Sequence, residues 1–152
     1  MVIKEIFSNP FWLLPLLTGF IAQMIKFTIY SIREKRLAFS WLFSTGGMPS
    51  AHSAAVSCLS VIAGKHYGFS SPIFGITLYF SLIIMYDAAG IRRAAGEHAE
   101  LLNIIVEEMI GKNKTLGKEK LKEFLGHSPL EVFVGAVLGI LISLIYIKMR
   151  WV

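Results

Sequence analysis

The sequence contains one cysteine, Cys58, which excludes a disulfide framework and a thiolate-only metal cage. It also contains one aspartate, Asp87, and no His-Glu-x-x-His ligand spacing. Charge is scarce: 16% of residues are charged, against roughly 25% in soluble domains. With 55% hydrophobic residues and a mean hydropathy of +0.62, that balance excludes disorder, a fibrous repeat and a nucleic-acid arm. The charge that remains is mostly positive. Fifteen Lys and Arg stand against ten Asp and Glu, beside four His, for a net charge of +5. In a chain this apolar, the excess reads as the basic loops of a membrane protein, with no nucleic-acid partner. No internal repeat or low-complexity tract interrupts the 152 residues. The expected organisation of 1–152 is a single all-α, multi-pass membrane domain.

Four stretches are apolar enough to span or nearly span a bilayer: Phe11 to Tyr30, Pro49 to Ala63, Pro72 to Ala89, and Pro129 to Ile147. A span needs about 20 residues, so the second is short and reads as a helix partly enclosed by protein. The first is too long for the apolar core of a cleavable signal, and Glu5 accompanies Lys4 ahead of it. The bundle therefore has about four membrane-embedded helices. Between Gly90 and Ser128 the pattern changes. Leu101, Leu102, Ile105, Val106, Met109 and Ile110 recur at helical spacing, with glutamates opposite, which predicts a cytoplasmic amphipathic helix. Gly111 to Gly117 reads as a turn and Lys118 to Leu125 as a second short helix. Orientation follows from the basic residues. Arg33, Lys35, Arg36, Arg92, Arg93 and five lysines from Lys112 to Lys122 fall on one side. The other side has Lys4, Lys65, Lys148 and Arg150. The first side is expected to be cytoplasmic in the cell membrane.

That topology gathers the polar residues at one end. Lys26 and Arg33, two helical turns apart on one face, close span one. Ser50 and His52 open span two, Asp87, Arg92 and Arg93 end span three, and His127 and Glu131 open span four. A basic, histidine-containing site facing the cytoplasm suits an anion such as phosphate. In Gly46-Gly47-Met48-Pro49-Ser50-Ala51-His52-Ser53, glycine lets the backbone approach a ligand. Proline opens a helix with free N–H groups, the Ser50 hydroxyl is a further donor, and His52 can protonate a leaving oxygen. The same residues also read as a plain Gly-Pro turn with a helix cap. In Gly126-His127-Ser128-Pro129-Leu130-Glu131, Glu131 lies one turn beyond His127 and can hold one ring nitrogen, leaving the other as nucleophile. Ser128 and Glu131 also spell a capping box. Gly135 and Gly139 make a Gly-xxx-Gly packing face. Arg92 and Arg93 are charge-assisted phosphate donors or topology anchors, and Asp87 can orient one of them. Lys26 and Arg33 equally read as a snorkelling lysine and a juxtamembrane arginine. His98 reads as a surface residue and His66 as lying away from the cluster.

Together these motifs resemble the membrane type 2 phosphatidic acid phosphatase superfamily, which includes vanadium haloperoxidases. Its signatures are Lys-x6-Arg-Pro, Pro-Ser-Gly-His, and Ser-Arg-x5-His-x3-Asp. Lys26-x6-Arg33 is similar to the first, with Glu34 for the proline. Pro49-Ser50-Ala51-His52 is similar to the second, and His127 with Glu131 to the third, with glutamate for aspartate. Leu121 stands where the third signature has arginine, and Arg92 or Arg93 is the substitute. A decoy, Arg92-x5-His98, has Leu102 where the acid belongs. The whole chain resembles the divergent branch of that family.

The resemblance implies a cofactor-free, metal-independent phosphatase acting on a phosphomonoester or pyrophosphate of a lipid. His127 would form a phosphohistidine, Glu131 would orient it, and His52 would protonate the leaving oxygen and then activate water. Lys26, Arg33, Ser50 and Arg92 or Arg93 would hold the phosphoryl oxygens, supported by Gly47 and Asp87. The family usually has six spans, so about four here implies either tight folding of the middle segments or a homodimer. A second reading is a non-catalytic protein that binds lipid headgroups through a degenerate site. Asp87-x2-Gly90 with a nearby arginine also touches the CDP-alcohol phosphotransferase pattern, but that chemistry needs several aspartates and Asp87 stands alone.

Overall fold

The computed structural model describes residues 2–44, 46–106, 121 and 126–150, and the backbone of 107–110. Among these are six α-helices, one 3-10 turn and no strand: α1 (Val2–Ser8), α2 (Pro10–Glu34), the turn Phe39–Leu42, α3 (Ala51–Tyr67), α4 (Pro72–Ala89), α5 (Ile91–Ile110) and α6 (Pro129–Arg150). Local chemistry sets their starts. Asn9 Oδ1 accepts the Phe11 N–H at 2.9 Å ahead of α2, with Pro10 as first helical residue. Ser71 does the same for α4, accepting from Phe74 N–H at 3.2 Å ahead of Pro72. Lys35 ends α2 in the left-handed conformation at φ 53°.

The bundle is inverted relative to a soluble protein. Phe20, Ile76, Tyr79, Phe133 and Leu141 are exposed on its outside, while Ala22, Ser53, Ala54, Cys58, Ala63 and Ser143 fill its centre. This suits hydrocarbon as solvent, where small residues let helices approach and burial of large ones gains little. Among the described residues three stretches are long and apolar enough to cross a membrane: Pro10–Glu34, Pro72–Val106 and Pro129–Arg150. The middle one is α4 running into α5 through Gly90. The expected four embedded helices thus become three long apolar ones and α3, which is 17 residues long and packs against α2, α4 and α6. Enclosure by protein explains why α3 carries Ser, Ala and Gly instead of a lipid-facing apolar surface.

The α3/α6 contact is the tightest. A Cβ on Gly139 would stand 2.1 Å from the Ala54 carbonyl oxygen, and one on Gly135 would stand 2.4 Å from that of Ser50. The Gly-xxx-Gly face anticipated from the sequence is this contact. Hydroxyls add to the packing: Ser143 of α6 donates to the Cys58 carbonyl of α3 at 3.4 Å, and Ser60 of α3 and Ser81 of α4 are 2.7 Å apart.

Boundaries differ from expectation in instructive places. α2 runs on past Tyr30 to Glu34, because polar Ser31, Arg33 and Glu34 are still acceptable helix formers. α3 starts at Ala51, two residues after Pro49, and continues to Tyr67. α4 has the expected limits, and α6 continues past Ile147 to Arg150. α5 begins at Ile91, ahead of the amphipathic stretch, since Arg92-Arg93-Ala94-Ala95 favours helix. α1 was not anticipated. The turn at 111–117 and, apart from Leu121, the short helix at 118–125 lie outside the described residues.

Candidate active site

The chain enters α6 through Gly126-His127-Ser128. Ser128 Oγ accepts the Glu131 N–H at 3.3 Å, and Glu131 Oε2 accepts the Ser128 N–H at 3.1 Å. That is the capping box. The same carboxylate oxygen lies 3.1 Å from His127 Nδ1, so capping and histidine orientation are one arrangement. His127 is 2% exposed, and its N–H donates to the Ala88 carbonyl at 3.0 Å, tying it to the end of α4. Gly126 is obligatory: a Cβ there would stand 2.3 Å from Arg93 N. Burial pushes the His127 ring below the ordinary histidine range; the Glu131 hydrogen bond opposes this, and the nearby charge of Lys26 reinforces it.

The second motif meets the third through backbone. The Ser50 N–H donates to the Glu131 carbonyl at 3.1 Å. Ser50 is fully buried, and its Oγ accepts from the Ser53 N–H at 3.4 Å and from the Ser53 hydroxyl at 3.0 Å. It caps α3 and ties α3 to α6. Gly47 has φ 87°, with Tyr30 and Trp41 closing over it. A Cβ at Gly47 would be strained and would press on both rings, which stack with centroids 3.6 Å apart.

Two cavities share His127. One, about 620 Å³, is lined by Tyr30, Arg33, Glu34, Gly47, Arg93 and Glu131, among others. The other, about 450 Å³, is lined at its polar end by Gln23, Lys26, Ser44, His52 and His127, and elsewhere by apolar side chains. Lys26 is 1% exposed, and its Nζ donates to the Ser44 carbonyl at 3.3 Å. A third cavity, lined by Lys65, His66 and Arg150, lies at the far ends of α3 and α6. His66 there is remote from the cluster, and His98 is exposed.

The two arginines separate. Arg93 lines the larger cavity and pairs with Glu97 at 3.0 Å. Arg92 pairs with Asp87 at 2.7 Å, and both stand within electrostatic reach of His52. Asp87 therefore orients Arg92, while Arg93 is the arginine beside His127. The structure gathers Lys26, Arg33, Gly47, His52, Arg93, His127 and Glu131 around the two cavities, with Arg92 and Asp87 beside them. Ser50 lies behind, lining neither of the two.

A sequence model of the Divergent PAP2 family matches residues 7–142. This chain belongs to that family. The protein described as "Uncharacterized membrane protein YuiD" from Bacillus subtilis (strain 168) is 42% identical over 134 residues, which cover 82% of this chain and 85% of that protein. No solved structure matches significantly. The chain is a membrane protein of this divergent branch, and its family relation is to phosphatases.

Family signatures do not reveal the support around this site. Gln23 Nε2 donates to the carbonyls of Trp41 at 3.1 Å and Leu42 at 2.6 Å, holding the loop over the cluster. Glu34, standing where the first signature has proline, accepts from Trp41 Nε1 at 2.8 Å. The available signal was spacing: Gln23, Lys26, Tyr30 and Arg33 fall at helical intervals along one side of α2.

Proposed function

We propose that this protein hydrolyses a lipid phosphate, as a phosphomonoester or pyrophosphate, through a phosphohistidine on His127. The observation that carries the reading is the buried His127 ring, held at Nδ1 by Glu131 and bordering both a cavity with Arg33 and Arg93 and one with Lys26 and His52. With Nδ1 committed, Nε2 is the attacking atom. It forms the N–P bond as the lipid oxygen leaves, and His52 supplies that oxygen with a proton. His52 then takes a proton from water, whose oxygen attacks phosphorus, releases phosphate and restores His127. Lys26, Arg33 and Arg93 carry the charge stabilisation, the main part of phosphoryl-transfer catalysis. Arg92, oriented by Asp87, acts from the His52 side, and Ser50 and Gly47 hold the two motifs in register.

Purified protein given a panel of phosphatidate, phosphatidylglycerophosphate and polyprenyl pyrophosphate is expected to release phosphate with EDTA present. The proposed steps call only on His127, His52 and the basic side chains that line the two cavities. Loss of turnover on chelation, restored by magnesium, overturns the metal-independent mechanism. Two observations favour a headgroup-binding protein without turnover: Arg92 and Arg93 are both paired to acids within the chain, and Leu121 replaces the third-motif arginine. Vanadate binding without phosphate release from any substrate in the panel would select that reading.

The low pKa of His127 predicts the pH profile. A ring that stays neutral below its ordinary range keeps its nucleophile as pH falls, so the acid limb of kcat/KM lies below about 6.5. In Glu131→Gln the charge that favours the protonated ring is gone, so the limb moves lower still. A limb at the same pH in both proteins assigns it to another group.

The site is expected to face the cytoplasm, where basic loops meet an anionic leaflet. Leu37 is 69% exposed just beyond α2. In a Cys58→Ser background, Leu37→Cys should resist an impermeant thiol reagent in intact cells and react in inverted vesicles. Labelling in intact cells reverses the topology.

A further inference from the structure

We propose that the groove between α2 and α3 seats a single hydrocarbon chain of the lipid phosphate and so selects long-chain substrates, with Gly19 as its gauge. This rests on the lipid phosphatase reading above. Along α2 the groove touches Pro15, Gly19, Gln23 and Lys26, a stripe on one face of the helix. From Pro15 to Lys26 the axis rises about 16 Å, the length of a long acyl or prenyl segment. Polarity is graded along it. The Pro15 to Phe20 end is apolar, and the other end carries the cationic Lys26 beside His52 and His127. A phosphate attached to a hydrocarbon chain matches that gradient in both charge and hydropathy.

The floor is made of small residues, Gly19, Ala51 and Ala55, which leave room above it. A Cβ on Gly19 would lie 3.6 Å from the Ala51 carbonyl oxygen and 3.7 Å from Ala55 Cβ, so a methyl fits and a ring fills the channel. The rims are open to surrounding lipid: Leu16 is 60% exposed, Phe20 61% and Phe43 88%. Gln23 fixes the Leu42 carbonyl and with it the lip that carries Phe43. The two cavities also divide the reacting groups. His52 borders the groove and not the larger cavity, whereas Arg33 and Arg93 border the cavity and not the groove. The leaving lipid oxygen then lies on the groove side with its acid, and the transferred phosphoryl group faces the arginines and water.

The test compares kcat/KM for a long-chain phosphatidate with that for a butyl phosphate ester. Gly19→Phe is expected to lower the long-to-short ratio at least tenfold, and Gly19→Ala to leave it within twofold. A ratio unchanged by Gly19→Phe overturns the proposal. Independently, a phosphatidate carrying a mid-chain diazirine in phosphatidylcholine vesicles is expected to label residues 15–20 and 42–43, less so in Gly19→Phe. Labelling spread over the outer faces of α4 and α6 also overturns the groove. Wild-type protein that hydrolyses neither ester fails the phosphatase reading, while the labelling still decides where the chain sits.

Discussion

Replacing His127 with alanine is expected to lower phosphate release from a lipid phosphate by at least about a thousandfold, the scale on which removal of a covalent nucleophile acts. The argument is geometric. His127 is the side chain common to both cavities, it is buried, and its Nδ1 is already held by Glu131. No other histidine borders the cavity of Arg33 and Arg93. His52 lies only on the groove side and cannot replace it as nucleophile without losing its role toward the leaving oxygen. The variant should still insert and fold, because the Ser128–Glu131 capping box and the Ser50-to-Glu131 backbone bond do not use the imidazole. Its loss leaves a cavity and frees a carboxylate lone pair that keeps its Ser128 N–H partner. Thermal melting in detergent checks the fold, and trapping of a phosphorylated, acid-labile histidine in wild type but not in the variant checks the chemistry. Turnover near the wild-type rate in His127→Ala removes the covalent mechanism altogether.

Much of this arrangement is legible in the sequence because topology does the work. Once four apolar stretches alternate with polar junctions, the ends of α2 and α4 and the starts of α3 and α6 must share one membrane level. Lys26, His52, Arg93 and His127 meet for that reason. The His127/Glu131 pair was legible from i,i+4 spacing, and the capping box from Ser-Pro-x-Glu. These are not competing readings, since one carboxylate oxygen serves both. What spacing could not give was which arginine turns toward His127. Arg92 and Arg93 are adjacent on a helix and point about 100° apart, so the choice depends on the rotation of α5 against Gly126. Nor could it show that Ser50 is spent as a cap. A serine before a helix reads equally as donor to a ligand or acceptor from its own backbone, and only burial separates the two. The enclosure of α3 was half legible. Its shortness pointed to a helix flanked by protein, but its neighbours on three sides follow from packing. The carbonyls gathered by Gln23 involve contacts nearly twenty residues apart, which no local period encodes.

The double substitution Gly135→Ala/Gly139→Ala is expected to damage stability and site together. Each added methyl would have to occupy space now filled by backbone carbonyl oxygen, at 2.4 Å from Ser50 and 2.1 Å from Ala54. Flexible side chains can turn away from such a clash, but two successive turns of α3 backbone cannot, so α6 must move off α3. Overpacking of this kind typically costs about 1–3 kcal/mol per site. The displacement begins one turn from Glu131, whose carbonyl accepts the Ser50 N–H at 3.1 Å. Breaking that bond uncouples the motif bearing His52 from the motif bearing His127. The expected result is a lower melting temperature in detergent and a loss of vanadate affinity of at least tenfold, although neither glycine lines either cavity. Gly75→Ala is the control, since a Cβ there meets nothing within 4 Å. A double variant that melts like wild type and binds vanadate as tightly would mean that the close α3/α6 approach does not hold the site together.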